Sequence, residues 1–102
     1  MKLIHIALAA VALVSAPAFA SKELAQKNAC MGCHAVDRKL VGPAFQEVAR
    51  KYSGQKDAET TLAGSIKKGG AGKWGPIPMP AQVALNDADT KTLAAWVLAG
   101  AK

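Results

Sequence analysis

The stretch Cys30-Met31-Gly32-Cys33-His34 (CMGCH) contains both cysteines of the 102-residue chain and one of its two histidines. This pattern suits four kinds of site: a disulfide, part of a zinc site, a redox-active dithiol, or the covalent attachment of a haem. Each kind needs different neighbours, so the remainder of the sequence decides between them.

Residues 1–20 have the layout of a secretory signal peptide. A lysine at the second position is followed by a predominantly apolar run over residues 3–14, and the small-x-small pattern AFA ends the segment. The apolar run is shorter than the roughly 20 residues that a membrane span requires. We therefore expect cleavage before Ser21, export to the periplasm, no membrane span, and one mature domain over residues 21–102.

The expected mature chain is small and sparing in metal ligands. It has 82 residues, a net charge of +5 after the loss of Lys2, one histidine and two methionines. A chain of this length has a marginal hydrophobic core and usually needs a disulfide, a metal or another covalent reinforcement.

Hydrophobic periodicity predicts an all-α domain of about four short helices, with no alternating strand pattern. The helices are expected over residues 22–29, 43–52 and 57–68, and from a cap at Asn86 onwards. The intervening segment GGAGKWGPIPMPAQVALN, residues 69–86, has no helical period and is called the strap below. Since the strap is apolar and the helices are short, we expect it to pack against something that they do not supply.

Covalent haem is the interpretation of CMGCH that fits these surroundings. A disulfide over so small a loop would stabilise little, structural zinc needs four ligands, and a thioredoxin-like dithiol needs a βαβ unit. Two thiols on one helical turn can instead form thioethers with the two vinyl groups of a haem, which brings His34 to the iron. The sequence therefore predicts one haem c, linked through Cys30 and Cys33, as the missing core.

The sixth iron ligand follows by elimination. Met31 lies between the two attached cysteines and cannot reach the opposite haem face, which leaves Met79, 45 residues after His34. Prolines at positions 76, 78 and 80 stiffen the strap around Met79. An iron bound by both residues has no open site, so we predict a one-electron carrier and not an enzyme. The neutral thioether and the burial of the site should both raise its reduction potential.

With these residues in view, the chain resembles the small monohaem class I bacterial cytochromes c, the cytochrome c-551/552 group of periplasmic electron carriers. The matching stretches are CMGCHAVDRKLVGPAFQEVARKY, IKKGGAGKWGPIPMP and LAAWVL, which together span nearly the whole mature chain. The resemblance implies the small cytochrome c fold, thioether links at Cys30 and Cys33, and axial iron ligands at His34 and Met79.

The resemblance also implies roles around the iron. The carbonyl of Pro43 would accept the ring N–H of His34, Trp74 would donate to a haem propionate, and Gln82 would lie near the Met79 sulfur. The chain departs from the family pattern at Ser65, where relatives often carry a basic residue that reaches a propionate, and at Ala81, where a further proline is common. The departure at Ser65 concerns the propionate network, and neither departure touches an iron ligand.

Basic residues flank the haem-binding segments, and they have two interpretations: a docking ring for acidic redox partners or an ordinary solvated surface. They are Lys39, Arg50, Lys51, Lys67, Lys68 and Lys73. The resemblance implies a carrier between a membrane quinol-oxidising complex and a nitrite reductase or terminal oxidase. A monomer is the default expectation, and nucleic acid is not an expected partner. The alternatives are a gas-binding or peroxidatic haem with an open sixth site, and a small subunit whose haem only stabilises the fold.

Overall fold

The computed structural model describes residues 18–102, which form five helices. These are α1 (Ala18–Lys27), α2 (Cys30–Cys33), α3 (Phe45–Tyr52), α4 (Ala58–Lys68) and α5 (Asp87–Leu98). The described part of the chain has no strand and one isolated antiparallel bridge, so the predicted all-α class is confirmed. Residues 1–17 of the predicted signal peptide lie outside the description, and the division into leader and mature domain stays a prediction.

The helix expected over residues 22–29 stops before the cysteines. The backbone N–H and the side-chain amide of Asn28 both donate to the Leu24 carbonyl, and Ala29 adopts a left-handed conformation with φ 60°. A left-handed residue interrupts the helical hydrogen-bond ladder. The two cysteines therefore lie on a separate single turn, α2, which closes with the His34 N–H donating to the Cys30 carbonyl at 3.0 Å.

Helix α3 begins at Phe45 and not at Pro43, where the sequence pattern placed its start. Its first N–H groups donate outside the helix: that of Phe45 to the Ala35 carbonyl at 2.9 Å, and that of Gln46 to the Val36 carbonyl at 3.0 Å. The first N–H groups of a helix have no partner within it, and here the segment after His34 supplies them. The start of α3 is therefore fixed to the loop that follows the histidine.

Helices α4 and α5 end and begin where the sequence predicts. Gly69 caps α4 with φ 67°, and the side chain of Asn86 accepts the Asp89 N–H at 2.7 Å, which confirms the expected cap of α5. Because α5 packs against α1, α3 and α4, it is the centre of the core. The buried apolar side chains of α5 are Leu93, Ala94, Trp96 and Val97.

The strap is more exposed than the helices around it. Ile77 is 61% exposed, and Trp74 is 37% exposed. Within residues 18–102, no helix is both long enough and apolar enough to cross a membrane.

Candidate haem-binding site

A cavity of about 420 Å³ lies between the helices and the strap. Six of the seven predicted site residues lie in its wall: Cys30, Cys33, His34, Pro43, Trp74 and Met79. Gln82 lies outside this wall. The remainder of the lining is mainly apolar and includes side chains from α3, α4 and α5. The topology thus brings together residues that are up to 49 positions apart in the sequence.

The imidazole of His34 is oriented by the backbone. Its Nδ1 lies 2.7 Å from the carbonyl oxygen of Pro43. A carbonyl can only accept, so Nδ1 carries the hydrogen and donates it, which leaves the lone pair of Nε2 free. The ring also stacks on Phe45, with centroids 5.0 Å apart and an interplanar angle of 21°. His34 is therefore in the tautomer that binds a metal through Nε2.

Gly42 completes the support of the histidine. A Cβ atom at this position would lie 2.5 Å from Cε1 of His34 and 2.9 Å from its Nδ1. The Gly42 N–H also donates to the Cys33 carbonyl at 2.7 Å. The ring thus packs directly against the backbone, which requires glycine. A glycine in a loop carries no distinguishing signal, so this role of Gly42 was not predicted from the sequence.

The two cysteines lie on α2 without a disulfide between them, with Cys33 exposed and Cys30 half-buried. Burial raises the pKa of the Cys30 thiol, a backbone hydrogen bond partly opposes this rise, and the neighbouring Cys33 adds a smaller increase. Cys30 is therefore harder to ionise than an ordinary thiol. Both sulfurs line the cavity, where they can form thioethers with a group placed inside it.

The backbone of Met79 is fixed by the end of α4. The Gly70 N–H donates to the Met79 carbonyl at 3.0 Å, and the Met79 N–H donates to the Gly70 carbonyl at 2.7 Å. Further along the strap, the Gln82 N–H donates to the Ile66 carbonyl at 3.1 Å. A side chain at Gly69 would collide with the strap backbone from Met79 to Ala81. The glycine pair, which the sequence suggested only as a helix stop, is thus also the anchor of the methionine.

Several of the flanking basic residues make contacts within the chain. Arg50 pairs with Glu47, and the Lys67 ammonium donates to the carbonyls of Val83 and Leu85. Lys39 and Lys73 are the two cationic residues in the cavity wall. Among residues 21–102, only Arg50 of the six flanking basic residues is paired with a carboxylate, so the positive charge of the lysines is not neutralised and both interpretations of these residues stay predictions.

The cavity fits a haem in size and chemistry. At about 420 Å³ it is within the usual range of ligand pockets, roughly 300–1,000 Å³, and its mainly apolar wall faces water unless an apolar group fills it. A large apolar group therefore completes this fold. Two thiols on one helical turn, an imidazole with a free Nε2 and a thioether sulfur form the donor set expected for a covalently attached haem.

An all-α domain in which a CxxCH turn and a proline-rich methionine strap line one apolar cavity defines the class of c-type haem proteins. The family model described as Cytochrome c matches residues 19–101. The chain belongs to the cytochrome c family.

Its relatives include small bacterial carriers. The chain is 51% identical over 90 residues to cytochrome c-552 of Nitrosomonas europaea, covering 88% of this chain and 87% of the relative. It is 50% identical over 91 residues to cytochrome c-552 of Hydrogenobacter thermophilus, covering 89% and 92%. The crystal structure of Nitrosomonas europaea cytochrome c552 superposes with a TM-score of 0.76 at 52% identity, covering 78% of this chain and 98% of that one.

These findings confirm the predicted family, fold and cofactor. The chain is a small class I cytochrome c that carries one covalent haem c and acts as a small electron carrier.

Proposed function

We propose that this cytochrome is a soluble periplasmic one-electron carrier whose iron is bound by His34 and Met79, with Cys30 and Cys33 as the thioether links. The observation that carries the proposal is the hydrogen bond from Nδ1 of His34 to the Pro43 carbonyl, 2.7 Å long, because it leaves Nε2 as the metal-binding nitrogen.

The bound haem supplies a reversible one-electron Fe(III)/Fe(II) couple, and the protein residues around it determine its reduction potential. Pro43 fixes the tautomer of His34 and raises the basicity of its Nε2. Met79 supplies a neutral thioether, which favours the ferrous state, and the backbone contacts with Gly70 keep it in place. The apolar wall limits the access of water, which disfavours the extra positive charge of ferric iron.

The proposed ligation is tested with the variant Met79→Ala, and Met31→Ala is the control. The substitution at Met79 should lower the reduction potential, abolish the weak far-red sulfur-to-iron band and open the reduced protein to carbon monoxide. Met31, in α2 between the cysteines, should tolerate the same change with all three properties retained. Carbon monoxide binding by the unmodified reduced protein would contradict the proposal and favour a gas-binding or peroxidatic haem.

The proposed route runs from a membrane quinol-oxidising complex to a nitrite reductase or terminal oxidase. Exposed apolar side chains of Leu40, Val41 and Ile77 line the cavity, near Lys39 and Lys73. A small apolar contact with surrounding positive charge suits brief encounters between redox proteins. Electron transfer to an acidic partner should slow as salt increases, whereas a rate independent of salt would contradict electrostatic docking.

The proposed periplasmic location depends on residues 1–20. N-terminal sequencing of the purified protein should find Ser21 as the first residue, and a retained Met1 would contradict export by cleavage.

A further inference from the structure

Two lysines are held over aromatic rings beside the cavity. The Lys51 ammonium lies 4.4 Å from the centre of the Trp74 ring, and the Lys73 ammonium lies 2.8 Å from the Tyr52 hydroxyl. Lys51 also donates to the Lys73 carbonyl at 3.5 Å, which joins the two contacts. We call Lys51, Tyr52, Lys73 and Trp74 the lysine–aromatic cluster.

The cluster contains two positive charges, those of Lys51 and Lys73, and no carboxylate of residues 21–102 pairs with either. The ion pairs among residues 21–102 are Asp37–Arg38 and Glu47–Arg50, and neither includes Lys51 or Lys73. Lys73 is an exposed residue, but its hydrogen bond to the hydroxyl of Tyr52, which is only 4% exposed, holds the ammonium at the cavity wall. An ammonium held at one place by neighbouring side chains can form a charge-assisted hydrogen bond with a carboxylate that comes within reach. Lys73, Trp74 and Tyr52 all line the cavity, so that anion would come from what the cavity holds.

The haem brings two carboxylates, its propionates, on the side of the macrocycle away from the vinyl groups that the cysteines hold. At Ser65, where the family resemblance implies a basic partner for a propionate, the side chain is uncharged and donates to the Thr61 carbonyl at 3.1 Å. Position 65 therefore supplies no charge to the propionates.

We propose that Lys73 is the cationic partner of a haem propionate in this chain and replaces the basic residue missing at Ser65. Lys51 is a positioning residue: its ammonium lies over the Trp74 ring and donates to the backbone of Lys73. The two lysines are 22 positions apart in sequence and meet only because the strap crosses the end of α3.

The test compares the reduction potentials of haem-loaded Lys73→Met, Lys73→Arg and Lys91→Met. Lys91 is an exposed lysine of α5 outside the cavity wall, so its replacement removes the same charge elsewhere. Without Lys73, a propionate carboxylate lacks its cation and stabilises ferric iron. Lys73→Met should therefore lower the potential more than Lys91→Met, and Lys73→Arg should stay near the wild type.

Measurements at high salt distinguish a direct contact between Lys73 and a propionate from a long-range effect of positive charge on the potential. At about 1 M salt the screening length is about 3 Å, so the effect of Lys91→Met should vanish while most of that of Lys73→Met persists. Equal potentials for the two methionine variants, or an arginine variant as low as Lys73→Met, would overturn the proposal. A loss of melting temperature alone, with the potential unchanged, would show that Lys73 has a purely structural role and would overturn it as well.

The relation to position 65 has its own test. Adding Ser65→Arg to Lys73→Met should raise the potential back toward the wild type, because the arginine supplies a positive charge from another position in the cavity wall. If the double variant keeps the potential of Lys73→Met, the two positions do not substitute for one another and that part of the proposal is wrong.

Discussion

Replacing Gly42 with alanine places one methyl group against the proposed iron ligand. The new Cβ would lie 2.5 Å from Cε1 of His34 and 2.9 Å from its Nδ1, both closer than unstrained atoms approach. The obstacle is a ring and not the end of a flexible chain, so the imidazole must tilt. Tilting lengthens the 2.7 Å contact between Nδ1 and the Pro43 carbonyl. The backbone of Gly42 does not have a positive φ, so packing alone is perturbed.

The expected cost has two parts. Inserting a methyl group into a packed site typically costs about 1–3 kcal/mol, and a weakened hydrogen bond about 1 kcal/mol more. The two parts together come to about 2–4 kcal/mol, and a loss of about 3 kcal/mol should lower the melting temperature of a domain of this size by roughly 12–24 °C. Thermal unfolding of the haem-loaded protein, followed by far-ultraviolet circular dichroism, measures this change. The reduction potential should fall too, since a tilted imidazole is a poorer ligand.

Gly64→Ala is the matched control. Gly64 lies inside α4, and a Cβ there would meet no atom within 4 Å. The same substitution should stabilise the protein by about 0.5–1 kcal/mol, because alanine favours the helix. The packing argument fails if Gly42→Ala melts at or above the wild-type temperature, or if both variants shift equally with unchanged potentials.

Two further predictions concern α5. Asn86→Ala removes the acceptor 2.7 Å from the Asp89 N–H and should cost about 1 kcal/mol in denaturant unfolding, whereas Asn86→Asp keeps an acceptor and should cost far less. Leu93→Ala opens a cavity at a side chain that is 2% exposed and should cost about 2–5 kcal/mol. Val83→Ala, at a residue that is 79% exposed, should change the unfolding free energy by less than about 0.5 kcal/mol; a comparable loss at both sites would contradict the assigned core.

The sequence predicted the features that local chemistry determines. The cap at Asn86 and the glycine end of α4 depend on neighbours within four positions, and the structure has both. The haem was predictable because CxxCH leaves few alternatives in a chain with so few other metal ligands.

The features that the sequence did not predict depend on distant contacts. Helix α3 starts late because carbonyls of residues 35 and 36 accept its first N–H groups. In the sequence, nothing distinguishes Lys73 from the other lysines. Its contact with Tyr52, 21 positions earlier, exists only in the folded chain. A period of hydrophobicity reports which face of a helix is buried, but it carries no information about which loop lies beside the end of that helix.

Both proposed iron ligands are oriented by backbone groups. The Pro43 carbonyl fixes the ring of His34, and the peptide groups of Gly70 fix the strap at Met79. A backbone group survives every side-chain substitution and is lost only when the chain itself moves. The ligands should therefore tolerate changes at many neighbouring side chains and be sensitive where an added Cβ displaces the ring or the strap, at Gly42 and Gly69. The positions of the two proposed ligands therefore depend on two glycines that contribute no donor atom. Because they lack a side chain, the His34 ring can pack against Gly42 and the strap backbone can pack against Gly69.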